Sequence, residues 1–144
     1  MFNTFAYNPP PLNETGAYPR WLVSQLHHAR VVQRRQVSFG TWLPEANRCH
    51  ANMAKWLELN SNDSGVLGWV VHDFRPALPW VRFTSHSVIA INNGDDWVDI
   101  TPSTVVQEYP FLAAGLGQQR YFELEEQLIA HHGVSQFDWI PAAQ

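Results

Sequence analysis

The sequence predicts an α+β fold in a single domain that spans residues 1–144. Helical apolar periodicity fills the first part of the chain, three segments rich in β-branched and aromatic residues follow, and another helical pattern comes after them. Apolar residues make up 45% of the chain and charged residues 15%, which excludes intrinsic disorder and allows a sizeable core. This order of elements is typical of an antiparallel sheet that carries helices on one face or at one end.

Two helices are predicted before the sheet. Residues 1–19, with three consecutive prolines and Gly16, are interpreted as an extended N-terminal arm. Residues 20–35 place apolar side chains on one helical face, and a second helix is predicted from Pro44 or Asn47 to residue 59. The predicted buried stripe of the second helix consists of Cys49, Met53, Trp56 and Leu57.

The sheet and the last helix follow. Strands are predicted at residues 66–71, Val81–Ile91 and 97–101, and the Asn- and Gly-containing segment between the last two predicts a hairpin turn. The third helix is predicted over residues 118–131, with Gly133 ending it.

Composition and motifs exclude several classes of function. A net charge of −4 argues against a nucleic-acid binder that neutralises phosphates, and a single cysteine excludes an internal disulfide framework. No apolar run is long enough to cross a bilayer, and the first residues do not have the pattern of a secretory signal, so we expect a cytoplasmic protein. No nucleotide fingerprint occurs, and we predict neither a metal nor a cofactor.

Three residues carry the chemistry that the sequence predicts. Cys49 lies in the first turn of its helix, where unpaired amides and the helix dipole favour a thiolate. His86 lies inside the second strand, and Asp99 lies in mid-strand, where a carboxylate is costly unless it is paired. A turn centred at Asn92 and Asn93 would place His86 directly opposite Asp99, with side chains about 5 Å apart. The carboxylate would then orient the imidazole and favour its protonated form.

With these residues in order, the chain resembles the papain-like superfamily of cysteine hydrolases, and most closely its transglutaminase-like branch. The resemblance is carried by Cys49-His50-Ala51-Asn52, Ser85-His86-Ser87-Val88, Asn93-Gly94 and Trp97-Val98-Asp99-Ile100-Thr101-Pro102. The resemblance covers residues 49–102. The same motifs also resemble those of small uncharacterised bacterial proteins of this kind. The resemblance implies a nucleophile helix packed on a small antiparallel sheet and a catalytic triad of Cys49, His86 and Asp99.

The chain departs from the papain pattern around the nucleophile. Papain-like peptidases usually place a glutamine a few residues before the cysteine to build the oxyanion hole, and that position has no glutamine here. The available donors are Gln36, Trp42 and Asn47, of which a tryptophan fits the transglutaminase-like branch better. His50 follows the cysteine directly. Its side chain could contact the surroundings of the nucleophile or point to solvent, and we expect it to point to solvent.

Two functions from different classes follow. The first is a cysteine-dependent amide hydrolase or acyl transferase that acts on a peptide or protein substrate, as a protease, a deamidase or a transglutaminase-like enzyme. The second is a non-catalytic binding or interaction protein that retains the fold. A zinc site drawn from Cys49, His50, His72 or His86 is a third, weaker alternative, since no recurring ligand spacing supports it.

Overall fold

The computed structural model describes residues 16–103 and 108–140, which form a mixed α+β fold. Most of the predicted N-terminal arm lies outside the described residues. The helices within them are α1 (Ala17–Ser24), α2 (Cys49–Leu59) and α3 (Gln118–His132). The strands are β1 (Arg30–Val31), β2 (Gln33–Arg34), β3 (Ser64–Asp73), β4 (Val81–Ile91), β5 (Asp96–Asp99), β6 (Pro110–Ala113) and β7 (Gln136–Trp139).

The sheet nearly closes on itself. Its strands follow the order β1-β6-β3-β4-β5-β2, and β7 pairs with β4 beside this path. The two strands at the ends of the path, β1 and β2, are separated in sequence only by Val32, which brings the two edges together. The centre is the long antiparallel pair of β3 and β4, in which Gly68 lies opposite His86. The predicted antiparallel arrangement holds for this centre, whereas β2 runs parallel to β5.

One edge of β4 is shared by two strands with a break between them. β7 pairs with residues 81–84 of β4 and β5 pairs with residues 89–91, so that residues 85–88 lie between the two ladders. At one end of this interval the Ser85 amide donates to the Ser135 carbonyl. We call residues 85–88 the gap of β4, and the predicted residue His86 lies within it.

Apolar side chains pack on both sides of the sheet. One cluster joins α1, α3, β3, β4 and β7 through residues such as Leu22, Trp69, Phe83, Tyr121 and Phe137. A second cluster holds α2 against the other end of the sheet and is centred on Ile89, Val98 and Ile100. On the inner side of the curved sheet, Val32 packs with Val88 and Phe111.

Gly68 lets β6 approach the centre of the sheet. A Cβ at this position would clash with the Leu112 carbonyl oxygen and would lie 2.7 Å from the Phe111 ring. The glycine therefore allows a separation between β3 and β6 that a larger residue would prevent.

The first predicted helix is wrong beyond its beginning. α1 starts at Ala17, inside the predicted arm, and ends at Ser24; a single 3-10 turn and the strands β1 and β2 replace the remainder of the predicted helix over residues 20–35. Tertiary contacts override the helical periodicity here, because Val32 is buried inside the curved sheet and Arg30 stacks 3.5 Å from the centre of the Trp97 ring.

The start and the burial of α2 also differ from the prediction. Asn47 has a left-handed φ of 63°, which is incompatible with the helix or with its cap, so α2 begins at Cys49. Met53, Trp56 and Leu57 pack against the second cluster but stay partly exposed, and the fully buried residue of α2 is Asn52. The β4 bounds and the αL glycine after α3, Gly133, agree with the prediction.

Candidate active site

Cys49 is half-buried at the first position of α2. The Asn52 amide donates to the Arg48 carbonyl at 2.8 Å, and it is the first amide of α2 with a partner in the preceding turn. Among the described residues, no side chain caps this helix start. The preceding amides of the first turn are the ones that a helix leaves without intrahelical partners, and they give the thiol an environment that favours negative charge.

His86 and Asp99 form a close pair. The Nε2 atom of His86 lies 2.7 Å from Oδ2 of Asp99, and the other carboxylate oxygen accepts the Thr101 amide at 3.0 Å. The Asp99 carbonyl also accepts the Arg35 amide at 2.9 Å, which ties the end of β5 to the segment after β2. The aspartate is buried and held at three points, so that it can fix the imidazole in one orientation.

The predicted register that opposes His86 to Asp99 directly is wrong. The ladder pairs Ile89 with Val98, so its continuation places Asp99 opposite Val88, two residues from His86. The turn causes the difference because it is centred later than predicted: Asn92, Asn93 and Gly94 all have left-handed φ angles, and the Asp95 amide closes the turn on Asn92. A shift of two residues keeps both side chains on one face of the sheet, and they meet diagonally.

His50 does not point to solvent, which corrects the expectation from the sequence. Its Nδ1 atom lies 3.0 Å from the Ser87 hydroxyl, and its Nε2 atom lies 3.0 Å from the Ser85 hydroxyl and 2.7 Å from the Glu125 carboxylate. The rings of Tyr121 and Phe122 approach the imidazole edge-on, with centroid distances of 5.7 and 5.4 Å. The segment around the cysteine therefore contributes a second imidazole–carboxylate pair.

Glu125, on α3, is a site residue that the sequence pattern does not predict. It accepts a hydrogen bond from Ser85 in addition to the contact with His50. The Ser85 hydroxyl lies 2.9 Å from that of Tyr121, which itself donates to the Gly68 carbonyl at 2.8 Å. The helical spacing held a signal, because residue 125 shares the inward face with Tyr121, Leu124 and Leu128, where an acidic residue needs a partner.

The charges of this cluster support one another. Burial disfavours the thiolate, but hydrogen bonds from His50 and His86 and their positive charge outweigh it and lower the pKa of Cys49 from 9.0 to about 6. Burial likewise disfavours both imidazolium ions, yet their contacts with the thiolate and with Glu125 or Asp99 raise the pKa of each imidazole from 6.5 to about 9. At neutral pH these shifts favour a thiolate on Cys49 and an imidazolium on each histidine.

The pKa of Glu125 is also shifted. Burial raises it, but the hydrogen bonds from His50 and Ser85 outweigh burial and lower the pKa of this carboxyl below its ordinary value of 4.5. The carboxylate is consequently ionised wherever the thiolate is present, and it favours protonated His50 over that whole range.

These residues line a cleft of about 490 Å³ beside the gap of β4. Its walls contain Cys49, His50, His86, Asp99 and Glu125, and the exposed residues Asn47, Arg48 and Arg34 also line it. The cleft is thus open to solvent on the side of the segment that precedes α2.

The predicted oxyanion donors divide between the cleft and other parts of the fold. Asn47 lines the cleft, two residues before the nucleophile candidate. Gln36 is exposed and lines a separate depression with Leu43 and Pro44, and Trp42 packs against the cluster around Ile89. Gln36 and Trp42 therefore do not line the cleft, and the amides at the helix start are the donors nearest in sequence to the thiol.

Asn52 holds the helix start in place. Its side-chain oxygen accepts the Glu45 amide at 2.9 Å, and its nitrogen donates to the Glu45 carbonyl at 2.8 Å and to the Thr101 hydroxyl at 3.0 Å. Because the Thr101 amide contacts Asp99, this buried side chain connects the cysteine-bearing helix to the aspartate-bearing strand.

Across residues 16–103 and 108–140, no group of three His, Cys, Asp or Glu side chains is arranged to hold a metal ion. A helix long and apolar enough to cross a membrane is likewise missing from the described part of the chain. The chain matches no protein-family model, no curated protein and no solved structure.

Proposed function

We propose that this protein is a cysteine-dependent amide hydrolase or acyl transferase with Cys49, His86 and Asp99 as its triad. The observation that carries the proposal is a single cleft lined by the Cys49 thiol, at the start of α2, and by an imidazole whose Nε2 lies 2.7 Å from a buried carboxylate. This is the arrangement of nucleophile, base and orienting acid that cysteine-based acyl transfer needs.

The order of these elements supports a transglutaminase-like core. The helix α2 carries the cysteine at its first residue, β4 carries the histidine, and β5 carries the aspartate after a glycine-containing turn. Cys49 and His86 line the same cleft beside the gap of β4, and Asp99 contacts His86 because β5 ends beside this gap.

The first half-reaction transfers the acyl group to sulfur. The thiolate of Cys49 attacks the amide carbonyl carbon, and the electron pair of the C=O bond moves onto oxygen, where amides at the helix start stabilise it. As the C–N bond breaks, the leaving nitrogen takes the proton of the His86 imidazolium. The products are a thioester on Cys49, a free amine or ammonia, and a neutral imidazole.

The second half-reaction restores the site. Neutral His86 accepts a proton from water or from a primary amine while that nucleophile attacks the thioester carbonyl, and the C–S bond then breaks to release the thiolate. Water gives hydrolysis or deamidation, and an amine gives transfer. Asp99 keeps its negative charge throughout, accepting the hydrogen bond of Nε2 and stabilising the imidazolium.

The cleft supports a peptide or a protein as the substrate. Its volume of about 490 Å³ suits a side chain or a short extended segment, and the exposed residues Asn47 and Arg48 at its edge leave room for a larger chain to lie outside. The reacting bond would then be a backbone amide, a glutamine carboxamide or an isopeptide.

The experiment presents casein to the protein with and without a biotin-labelled primary amine, and mass spectrometry detects cleavage, deamidation and amine incorporation. We expect at least one of these products from the wild type, none from Cys49→Ser and none from His86→Ala. His131→Ala changes an exposed histidine on α3 and serves as the matched control with wild-type activity.

The alternative of a binding protein predicts a different result. If no product forms and iodoacetamide alkylates Cys49 at the rate of an ordinary thiol, the triad is inactive and the enzyme proposal is wrong. A Cys49→Ser variant that retains full activity would contradict it equally.

A further inference from the structure

We infer that His50 and Glu125 are positioning residues that hold Cys49 as a thiolate independently of His86, so that the site divides fixed charge and proton transfer between two imidazoles. The inference rests on the proposed function, since it assigns a role to a second imidazole in the same reaction. Its basis is the set of contacts that fix His50, the residue next to Cys49, in the cleft that both residues line.

His50 is held from two elements at once. From β4, the Ser85 and Ser87 hydroxyls lie 3.0 Å from its two ring nitrogens, and from α3, the Glu125 carboxylate lies 2.7 Å from Nε2. A carboxylate accepts hydrogen bonds, so Nε2 carries a proton in this contact. The imidazole side chain is only 21% exposed, and the Glu125 side chain is 17% exposed, which limits screening of the pair by water.

The hydrogen bonds of the two imidazoles suit them to different tasks. Both ring nitrogens of His50 already contact protein oxygens, so that this imidazole keeps its proton while the reaction proceeds. His86 uses Nε2 for Asp99, and its other nitrogen, Nδ1, is the one through which a proton can pass to a leaving group. His86 therefore acts as the acid and base, and His50 contributes a constant positive charge.

The charged and titratable groups around His50 all agree with this role. The thiol of Cys49 lies on the same helix as His50, Glu125 and the Tyr121 ring face His50 from α3, and β4 presents the two neutral serine hydroxyls. Burial raises the pKa of Tyr121 well above its ordinary value, so this hydroxyl stays neutral and adds no charge. The nearby anions are the thiolate and Glu125, and both favour the imidazolium.

This arrangement has a consequence for turnover. When His86 gives its proton to the leaving group, the thiol environment loses one positive charge. The charge on His50 remains, and it stabilises the sulfur as a leaving group when the thioester is broken in the second half-reaction.

The test measures the rate of Cys49 alkylation by iodoacetamide as a function of pH. In His50→Gln and in Glu125→Gln we expect the thiol pKa to rise, because one neighbouring positive charge is removed or weakened. The alkylation rate at pH 7 should fall about tenfold in His50→Gln, and it should return to the wild-type rate above pH 9, where the thiol ionises unaided. A variant that merely distorts the site would not regain its rate at high pH.

Glu126→Gln is the matched control, because it makes the same chemical change at the next, exposed position of α3. Its pH profile should equal that of the wild type. If His50→Gln does not fold, as judged by thermal unfolding, the nearly isosteric Glu125→Gln decides the question.

The outcomes separate this inference from the proposed function. Profiles of His50→Gln and Glu125→Gln that superimpose on the wild type would overturn the inference, and a raised thiol pKa in His86→Ala would then leave the triad intact. A raised pKa in His50→Gln with none in His86→Ala would instead support the role of His50 and contradict the triad.

Discussion

Replacing Asp99 with asparagine tests the orientation of His86 with little change in shape. In the wild type, one carboxylate oxygen accepts Nε2–H of His86 and the other accepts the Thr101 amide. An asparagine has a single oxygen, so it can accept only one of these two donors. If its oxygen stays on the Thr101 amide, its NH₂ group meets His86 Nε2, which must then become an acceptor and move the proton to Nδ1. The imidazole would then be unable to accept a proton there.

If the side-chain amide of this variant turns over, its NH₂ group meets the Thr101 amide, which loses its partner inside a buried site. Leaving one buried donor unsatisfied costs about 1–3 kcal/mol. We therefore expect Asp99→Asn to fold and to lose about that amount of stability. Loss of the negative charge also removes stabilisation of the imidazolium, and the corresponding change in a serine-protease triad lowers kcat on the order of 10⁴-fold.

The assays are turnover of casein, alkylation rate against pH, and urea unfolding. We expect a fall in kcat of at least about 10³-fold, with KM changed little, because Asp99 acts through His86 rather than on substrate. Asp95→Asn, in the exposed turn before β5, is the matched control and should behave as the wild type. Wild-type kcat in Asp99→Asn would refute the reasoning, and so would complete unfolding of that variant with His86→Ala fully folded.

Further predictions concern the pH range and the framework around the site. The thiolate of Cys49 is lost as pH falls through about 6, and the imidazolium ions of His50 and His86 are lost as pH rises through about 9. A plot of kcat/KM against pH should therefore be bell-shaped between these values. A single rise near pH 9 would contradict the ion pair. Gly68→Ala should lose about 1–3 kcal/mol of stability in urea unfolding through its clash with β6, whereas Gly117→Ala, with open space around it, should lose little. Arg82→Met leaves the carboxylate of Asp138 buried without its bidentate partner and should cost about 3–5 kcal/mol, measured in the same way.

The amino-acid sequence was most informative where local pattern and tertiary packing agree. β4 is a long run of β-branched and aromatic residues, and its bounds follow the pattern. The predicted contact of His86 with Asp99 is present although the predicted hairpin register is wrong. The observed register differs from the predicted one by an even number of residues, so both side chains stay on the same face of the sheet. A shift of one residue would have placed Asp99 on the opposite face.

The short strands and the second imidazole were not predictable in the same way. β1 and β2 have two residues each, and they exist because distant strands offer them partners. The position of His50 depends on Glu125, 75 residues later in the chain, and on serines of β4. Adjacency to the cysteine indicated nothing about these contacts. An acidic residue on the apolar face of α3 was the one local sign that a buried partner was needed.

The gap of β4 explains how a single thiol can meet both imidazoles. Side chains alternate between the faces of a strand, so His86 lies on one face while Ser85 and Ser87 lie on the other. The serines hold His50, and His50, His86 and Cys49 line the same cleft. A thiol above either face of a continuous sheet would reach only one of these groups. The cleft that Cys49 lines lies beside the interval that β5 and β7 leave between their ladders, where side chains from both faces of β4 line it. The interruption of strand pairing therefore lets imidazoles held on both faces of β4 line the cleft that contains Cys49.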